Sequence, residues 1–450
     1  MKRVPFILLS VYLLANPWND CTTRAEEHLN SLPAFPGAQG FGATTPGGRG
    51  GRLIHVSNLN GSGPGSLQAA CSAEGPRIVV FDTSGVIRHD VEIQHGQITI
   101  MGQTAPSPGI TIRGMLHSNH YRGYLEDIVV RFLRVRPDSS KALNDMADGI
   151  RFSKVRNCVI DHVAVSWASD ENIDIYQAQD ITVQWCAIEE ADTEGHWKGL
   201  HGMGLINGPE GRRVTVHHNL FAHNSRRNPC IKIGPCDVVN NVVYNFKDGF
   251  HHDGPSNREI YNIVGNYYKN GPDDPRMFVF CFQDSTRYYL RDNYLEGTGM
   301  VQDPWAEADR QEGLRIFSKW GVKSEVAAQV PYVTTHDPLH AYELVMAGAG
   351  CFPRDAVSRR TVDEVREGTG RWGRRDPGML NGGLPIGTCR QDSDNDGMPD
   401  AWERSNGLNP ADSTDYRVEQ TSGYTAIETY CHQLAEELLR EHDVEETSDR

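Results

Sequence analysis

From residue 98 the chain repeats one short theme: ITIMGQ, GITIRG, IVVRFLRVR, CVIDHVAVSW, ITVQWCAI, VTVHHNLF, VVNNVVYN, IVGNYYKN and YYLRDNYLEG. Aligned by eye, Arg131, His162, Trp185, Asn219, Asn241, Asn266 and Asn293 fall at one recurring position, with intervals of 31, 23, 34, 22, 25 and 27 residues. Self-similarity at roughly 20–35 residues marks a solenoid, in which each unit buries its apolar face only by stacking on its neighbours. Every unit supplies short strands and no amphipathic helix, so leucine-rich and helical repeats are excluded and an all-β parallel β-helix is expected. The asparagines suit such a stack. Asn tolerates the left-handed backbone of a bend, and aligned amides hydrogen-bond along a ladder.

Before the repeats, MKRVPFILLSVYLLA joins a basic start to an apolar run too short to span a bilayer. It reads as a secretory signal over residues 1–25, with Thr-Arg-Ala ahead of the cut. Export follows, and no other stretch is apolar enough for stable membrane insertion. Removing the signal takes three of the 44 Lys and Arg and one of the 59 Asp and Glu, leaving a net charge of −17. Nucleic acid is thereby excluded as a partner, since binding it needs a basic face. A polyanionic substrate requires a metal ion to reverse the local charge. Nine cysteines remain, an odd number, with Cys230–Cys236 and Cys351–Cys389 as conceivable disulfides. Cys158 and Cys186 lie inside apolar runs and read as small buried hydrophobes.

The glycine-rich opening AFPGAQGFGATTPGGRGG reads as loop, because Gly37, Gly40 and Gly42 lack the strand and helix of a dinucleotide site. The β-helix is expected over residues 26–370, with HAYELVMAGAGC and TVDEVREGTG as short peripheral helices. A Pro/Gly linker is expected over 371–391, and a calcium loop with a C-terminal helix over 392–450. In that loop Asp392, Asp394 and Asp396 occupy positions 1, 3 and 5, and Gly397 makes the turn at 6. The Met398 carbonyl, Asp400 and Glu403 take 7, 9 and 12, the EF-hand-like pattern of hard oxygens that holds Ca2+. Its expected role is structural.

The densest chemistry lies in 157–234. Asp161 ends the run VID, and Asp170 and Asp174 flank the next turn. Rungs about 4.8 Å apart let carboxylates on neighbouring turns share one cation, while turn capping accounts for the same spacing. Lys198 in GHWKG and Arg227 with Lys232 in RRNPCIKIG are cations beside apolar strand positions, one to two rungs further on. His162, His217 and His218 read as structural hydrogen-bonding groups.

These motifs, VIDH, the pair Asp170 and Asp174, HWKG and HHNLFAHNSRRNPCIKIG, resemble the central motifs of polysaccharide lyase family 1, the pectate lyases. The opening, with HVSNLNGSGPGSLQAA and MGQTAP, resembles the secreted bacterial branch of that family, and the likeness covers residues 34–370. It implies a right-handed parallel β-helix, a monomer acting on pectate or a related acidic polysaccharide. It also implies a catalytic calcium on Asp161, Asp170 and Asp174, Lys198 gripping substrate, and Arg227 abstracting the proton in a β-elimination. The family run RAPRVRFG is RNPCIKIG here, so Cys230 and Lys232 replace two arginines. Lys232 still binds a carboxylate, without the two-pronged geometry of arginine. Two other readings compete. A β-helix glycoside hydrolase would use paired carboxylates such as Glu189/Glu190 or Asp273/Asp274, and a non-catalytic polysaccharide-binding β-helix would use neither.

Overall fold

A computed structural model describes residues 32–448, except 120, 122, 139–146, 275–277, 302 and 308–320. The expected signal at 1–25 lies outside these residues. Among the described residues the strands form three sheets, of eleven, ten and eight strands. Successive strands go to successive sheets. Val155–Asp161 joins the eleven-stranded sheet, Ala164–Ser166 the ten-stranded and Glu171–Ile175 the eight-stranded, and Gln179–Gln184 then returns to lie parallel on Val155–Asp161. This is a parallel β-helix. One pair, Asn293–Leu295 with Gly299–Val301, runs antiparallel.

Strand alternation builds the interior. In Glu171–Ile175, Ile173 and Ile175 enter the central core and Asp174 between them faces outward, while Asn172 is held inside, donating to the Glu189 carbonyl (3.0 Å) and to Asn224 Oδ1 (3.1 Å). Leu205, Val214, Val216 and Ile263 stack in the same core. At one corner the asparagines form the expected ladder. Asn219 Nδ2 donates to Asn241 Oδ1 (2.9 Å), Asn241 Nδ2 to Asn266 Oδ1 (3.0 Å) and Asn266 Nδ2 to Asn293 Oδ1 (3.0 Å). Each Oδ1 also accepts a backbone N–H from the rung before it.

The register differs from the alignment by eye. Strand pairing matches Arg131 with Asp161, Asp161 with Gln184 and Gln184 with His217. His162 and Trp185 stand one position later, at φ 50° and 52°, where Trp185 stacks on His218 (4.5 Å) rather than aligning with Asn219. The left-handed residue that ends each strand carries the aromatic stack, and the ladder begins one residue further on. His217 and His218 are buried, and burial pushes them down to about 3 and about 2. Their contacts with Gln184 and His336 fit the structural role expected of them.

The glycine-rich opening lies along the outer face of the eleven-stranded sheet. Gly42 N donates to Thr182 Oγ1 (3.0 Å) and Gly48 N to Thr99 Oγ1 (2.8 Å). A Cβ at Gly42 would fall 2.1 Å from the Cys158 carbonyl oxygen, and one at Gly48 1.8 Å from that of Arg77. Only glycine permits so close an approach.

Pro33–Arg450 is one compact unit. The segment expected as a linker is tied down: Trp372 Nε1 donates to the Asn245 carbonyl (2.5 Å), and Gly387 N to that of Ser107 (2.8 Å). Met398, Tyr416, Ile427 and Cys431 share a core with Ile78, Val80 and Met101, so residues 392–434 are built onto the eleven-stranded sheet. The nine described cysteines are all free, eight of them buried. Neither conceivable disulfide forms. Cys236 joins the interior of the eleven-stranded sheet, whereas Cys230 pairs with His251 in the eight-stranded one. Among the described residues no helix is long and apolar enough to cross a membrane.

Candidate active site and acidic cation sites

The outward face of the eight-stranded sheet gathers the carboxylates. Asp148 lies two residues before the short strand Ile150–Arg151, and Asp170 and Glu171 begin the next rung, with Asp174 further along it. The Glu171 N–H donates to Asp148 Oδ1 (3.1 Å), which locks the two rungs together. Asp148, Asp170 and Glu171 place carboxylate oxygens within 4.8 Å of one another. Asp148 and Asp174 are buried. Burial, then the charges of Asp174 and Asp170, hold the Asp148 carboxyl well above its ordinary range. Burial pushes Asp174 up to about 7, against the pull of Arg151 and with Asp170 adding to the rise. Its Oδ1 has no hydrogen-bond partner. Buried carboxylates that repel one another, one with an oxygen unsatisfied, suit a hard divalent cation of the calcium type.

Asp161 does not belong to this group. It lies on the eleven-stranded sheet, under the opening segment, where its carboxylate accepts from Arg131 Nε (2.7 Å) and Gln184 Nε2 (2.7 Å) and faces His162 Nδ1 (3.0 Å). Burial raises this carboxyl, but His162 and Arg131 more than offset it and hold it far below the usual range. Asp161 is the partner of a buried arginine. The residue that stands with Asp170 and Asp174 is Asp148.

Arg227 follows the strand Leu220–Ala222 in a left-handed turn (φ 62°), and its carbonyl accepts from Leu205 N (2.7 Å). The turn brings its guanidinium onto Glu171 in a close ion pair, beside the carboxylate group. Lys232 lies just past Cys230–Ile231, near enough for its charge to lower the Asp174 carboxyl. Lys198 sits on the loop leading to Met203–Asn207, with its ammonium 5.0 Å from the Trp197 ring centroid. That loop is joined to the site by His201, whose Nε2 lies 2.7 Å from Asp170 Oδ1. Sequence reasoning missed Asp148, Glu171 and His196, and connected His201 only with the rival hydrolase reading; the GHWKGLHG run carried both histidines in plain view.

The hydrolase candidates are occupied elsewhere. Glu189 accepts from Ser358 Oγ (2.7 Å) and Glu190 from Arg360 (2.5 Å), both fully buried under the helix Ala356–Glu367. Asp273 accepts from Asn245 Nδ2 (2.6 Å) and Trp372 N (2.7 Å).

The C-terminal loop holds a second acidic group. Asp392 accepts the N–H groups of Asn395 (2.8 Å), Asp396 (3.3 Å) and Gly397 (2.9 Å), with Gly397 at φ 84°. Asp392, Asp394 and Asp396 form one cluster, and Asp396, Glu403 and Asp415 an adjoining one. Both oxygens of Asp394 and Glu403, Asp396 Oδ2 and Asp415 Oδ1 are buried without hydrogen bonds. Met398 buries its side chain and donates its N–H to Asp396 Oδ1 (3.0 Å). Asp400 differs from the expected pattern. It accepts from Ser393 N (2.8 Å), Ser393 Oγ (2.9 Å) and Arg404 (3.1 Å), so its carboxylate is engaged away from the cluster. Asp415, downstream of the loop, joins Glu403 instead. The donor set fits a calcium-like ion.

No protein-family model matches the chain. The probable pectate lyase C of Neosartorya fischeri is 35% identical over 427 residues, covering 90% of this chain and 94% of that protein. The probable pectate lyase C of Aspergillus flavus is 36% identical over 424 residues, with the same coverage. These relatives are fungal and lend no support to the expected bacterial branch. Among solved structures, the cedar-pollen allergen jun a 1 matches with a TM-score of 0.50 at 16% identity, covering 70% of this chain and 92% of that one. The thermostable pectate lyase PL 47 matches at 0.51 and 13%, covering 70% and 97%. At such identities these structures speak to the β-helix fold alone.

Proposed function

The chain belongs to the pectate lyase family and is a polysaccharide lyase, and on that premise we propose that it cleaves polygalacturonate or a related polyuronate by calcium-dependent β-elimination. We further propose that it is secreted and acts as a monomer. The observation that carries the reading is the convergence of Arg227 with the buried carboxylates Asp148, Glu171 and Asp174 and the half-buried Asp170 along the eight-stranded sheet.

In the proposed reaction a base removes the C5 proton next to the uronate carboxylate, its electron pair forms the C4=C5 double bond, and the C4 oxygen leaves with the C4–O pair and takes a proton from solvent to become a hydroxyl. The barrier is the negative charge that builds on that carboxylate. Calcium held by Asp148, Asp170 and Asp174 supplies positive charge there. Lys198 and Lys232 add cationic contacts for carboxylates along the chain. Arg227 takes the proton as a neutral guanidine, so its ion pair with Glu171, which favours the charged form, must open when substrate binds. A free guanidinium loses its proton only above about pH 12, so an alkaline optimum is expected. In the C-terminal loop, Asp392, Asp394, Asp396, Glu403 and Asp415 hold a structural calcium, with the Met398 carbonyl as the neutral donor and Asp400 bracing the loop.

The test is the ultraviolet absorbance of polygalacturonate digests with and without calcium, run beside Arg227→Ala. Absorbance that rises only with calcium and wild-type Arg227 supports the reading. Reducing ends without absorbance would sink it.

A further inference from the structure

The loop that carries Lys198 also carries a stack of three rings that the proposed chemistry does not use. His201 contacts Asp170, as described above. His196 lies on His201 with ring centroids 3.9 Å apart and planes 9° from parallel. Trp197 continues the stack from His196, at 5.9 Å and 24°. The Lys198 N–H donates to His196 Nδ1 (3.1 Å), which curls the loop around the inner ring. The environment changes sharply along the stack: His196 is 4% exposed and Trp197 65%. A large indole is thus held in water on a braced mount, with an ammonium beside it.

Single exposed apolar side chains are common on protein surfaces; what sets this indole apart is its place, on a loop that also exposes Leu200 and that His201 ties to Asp170. A pyranose ring presents C–H groups on one face, and these meet the electron-rich face of an indole favourably. The neighbouring Lys198 ammonium matches the carboxylate of a hexuronate. Mounting the indole on two stacked histidines tied to Asp170 reduces the ordering cost of binding. Resting on the lyase reading above, we propose that Trp197 is a sugar-stacking platform that binds one uronate ring of the acidic polysaccharide and aligns the chain over the carboxylate group.

The experiment compares wild type, Trp197→Ala, Trp197→Phe and Lys198→Ala on trigalacturonate and polygalacturonate. For Trp197→Ala, KM is expected to rise about tenfold while kcat stays within about twofold, and Trp197→Phe recovers most of the loss. Raising the salt leaves the Trp197→Ala defect in place but shrinks that of Lys198→Ala, because only the latter is an ion-pair effect. In the Arg227→Ala background, which stops turnover, trigalacturonate with calcium should perturb tryptophan fluorescence, and the further change Trp197→Ala should abolish that signal. An unchanged KM in Trp197→Ala overturns the proposal. So does a defect that fades with salt as the lysine's does, because the indole would then act only through Lys198. The lyase reading fails by a separate route, a wild type that forms no unsaturated product, and the fluorescence arm can be read even then.

Discussion

Withdrawing calcium should destabilise the C-terminal loop, and its carboxylates set the size and pH dependence of the effect. Burial, and then the charges of Asp394, Asp415, Asp392 and Asp400, push Glu403 up from 4.5 to about 7. Burial chiefly, with Asp394 and Glu403 adding to it, pushes Asp396 up from 3.8 to about 8. An acid whose folded pKa lies above its unfolded value binds more protons when folded. Without the ion, stability therefore falls as pH rises from about 4.5 through about 8. Taken whole, the Glu403 displacement corresponds to about 3 kcal/mol at 1.36 kcal/mol per unit. The loop lies near water, so we take about 1–2 kcal/mol after screening, and Asp396 shares the same repulsion rather than adding to it.

Calcium should reverse this loss. An ion at a hundred times its dissociation constant adds about 2.7 kcal/mol. The assay is urea unfolding followed by tryptophan fluorescence, since Trp402 sits in this region with its Nε1 donating to Gln433 (2.6 Å). Wild type and Glu403→Gln are compared with calcium and with chelator, near pH 5 and near pH 8. Glu403→Gln should flatten the pH dependence of the chelated protein and lose most of the calcium gain. The comparison between variants isolates the loop, because Asp174 in the main site is raised as well. Chelated wild type with flat or rising stability over that range would refute the reasoning, as would a calcium gain undiminished in Glu403→Gln.

Asp148→Asn and Asp161→Asn should separate the two roles. The first relieves repulsion, so urea stability should hold while the calcium concentration for half-maximal activity rises tenfold or more. The second strands the buried Arg131 and should cost about 3 kcal/mol of stability, leaving the calcium response of the folded enzyme intact. Asn241→Ala breaks the ladder at a rung where Asn241 serves Asn219, Asn266 and the Val216 carbonyl. At about 1–3 kcal/mol for each buried group left unsatisfied, the urea midpoint should fall sharply.

The repeat was legible because burial imposes a period on the sequence: apolar runs and corner asparagines recur wherever the coil turns. The register was harder to read. Matching residues by type equated Trp185 with Asn219, whereas the left-handed residue that ends each strand pairs Trp185 with His218. The same difficulty hid Asp148. It precedes a two-residue strand, Ile150–Arg151, too short to show alternation, and it meets Asp170 only through the coil closing one turn later. Asp161 drew attention because it ends a clear strand, yet strand ends on different sheets face different surroundings. In the C-terminal loop the spacing named most of the acids. It could not show that Ser393 and Arg404 engage Asp400, or that Asp415 reaches Glu403 from outside the loop.

The central claim is elimination rather than hydrolysis, and the fate of solvent oxygen tests it most directly. Trigalacturonate is cleaved in heavy-oxygen water with calcium, and the products are weighed by mass spectrometry. Elimination adds no water across the broken bond, so the two products should together weigh what the substrate weighs, with no heavy oxygen built in at cleavage and the unsaturated end on one of them. A product pair heavier by one labelled water would contradict the account.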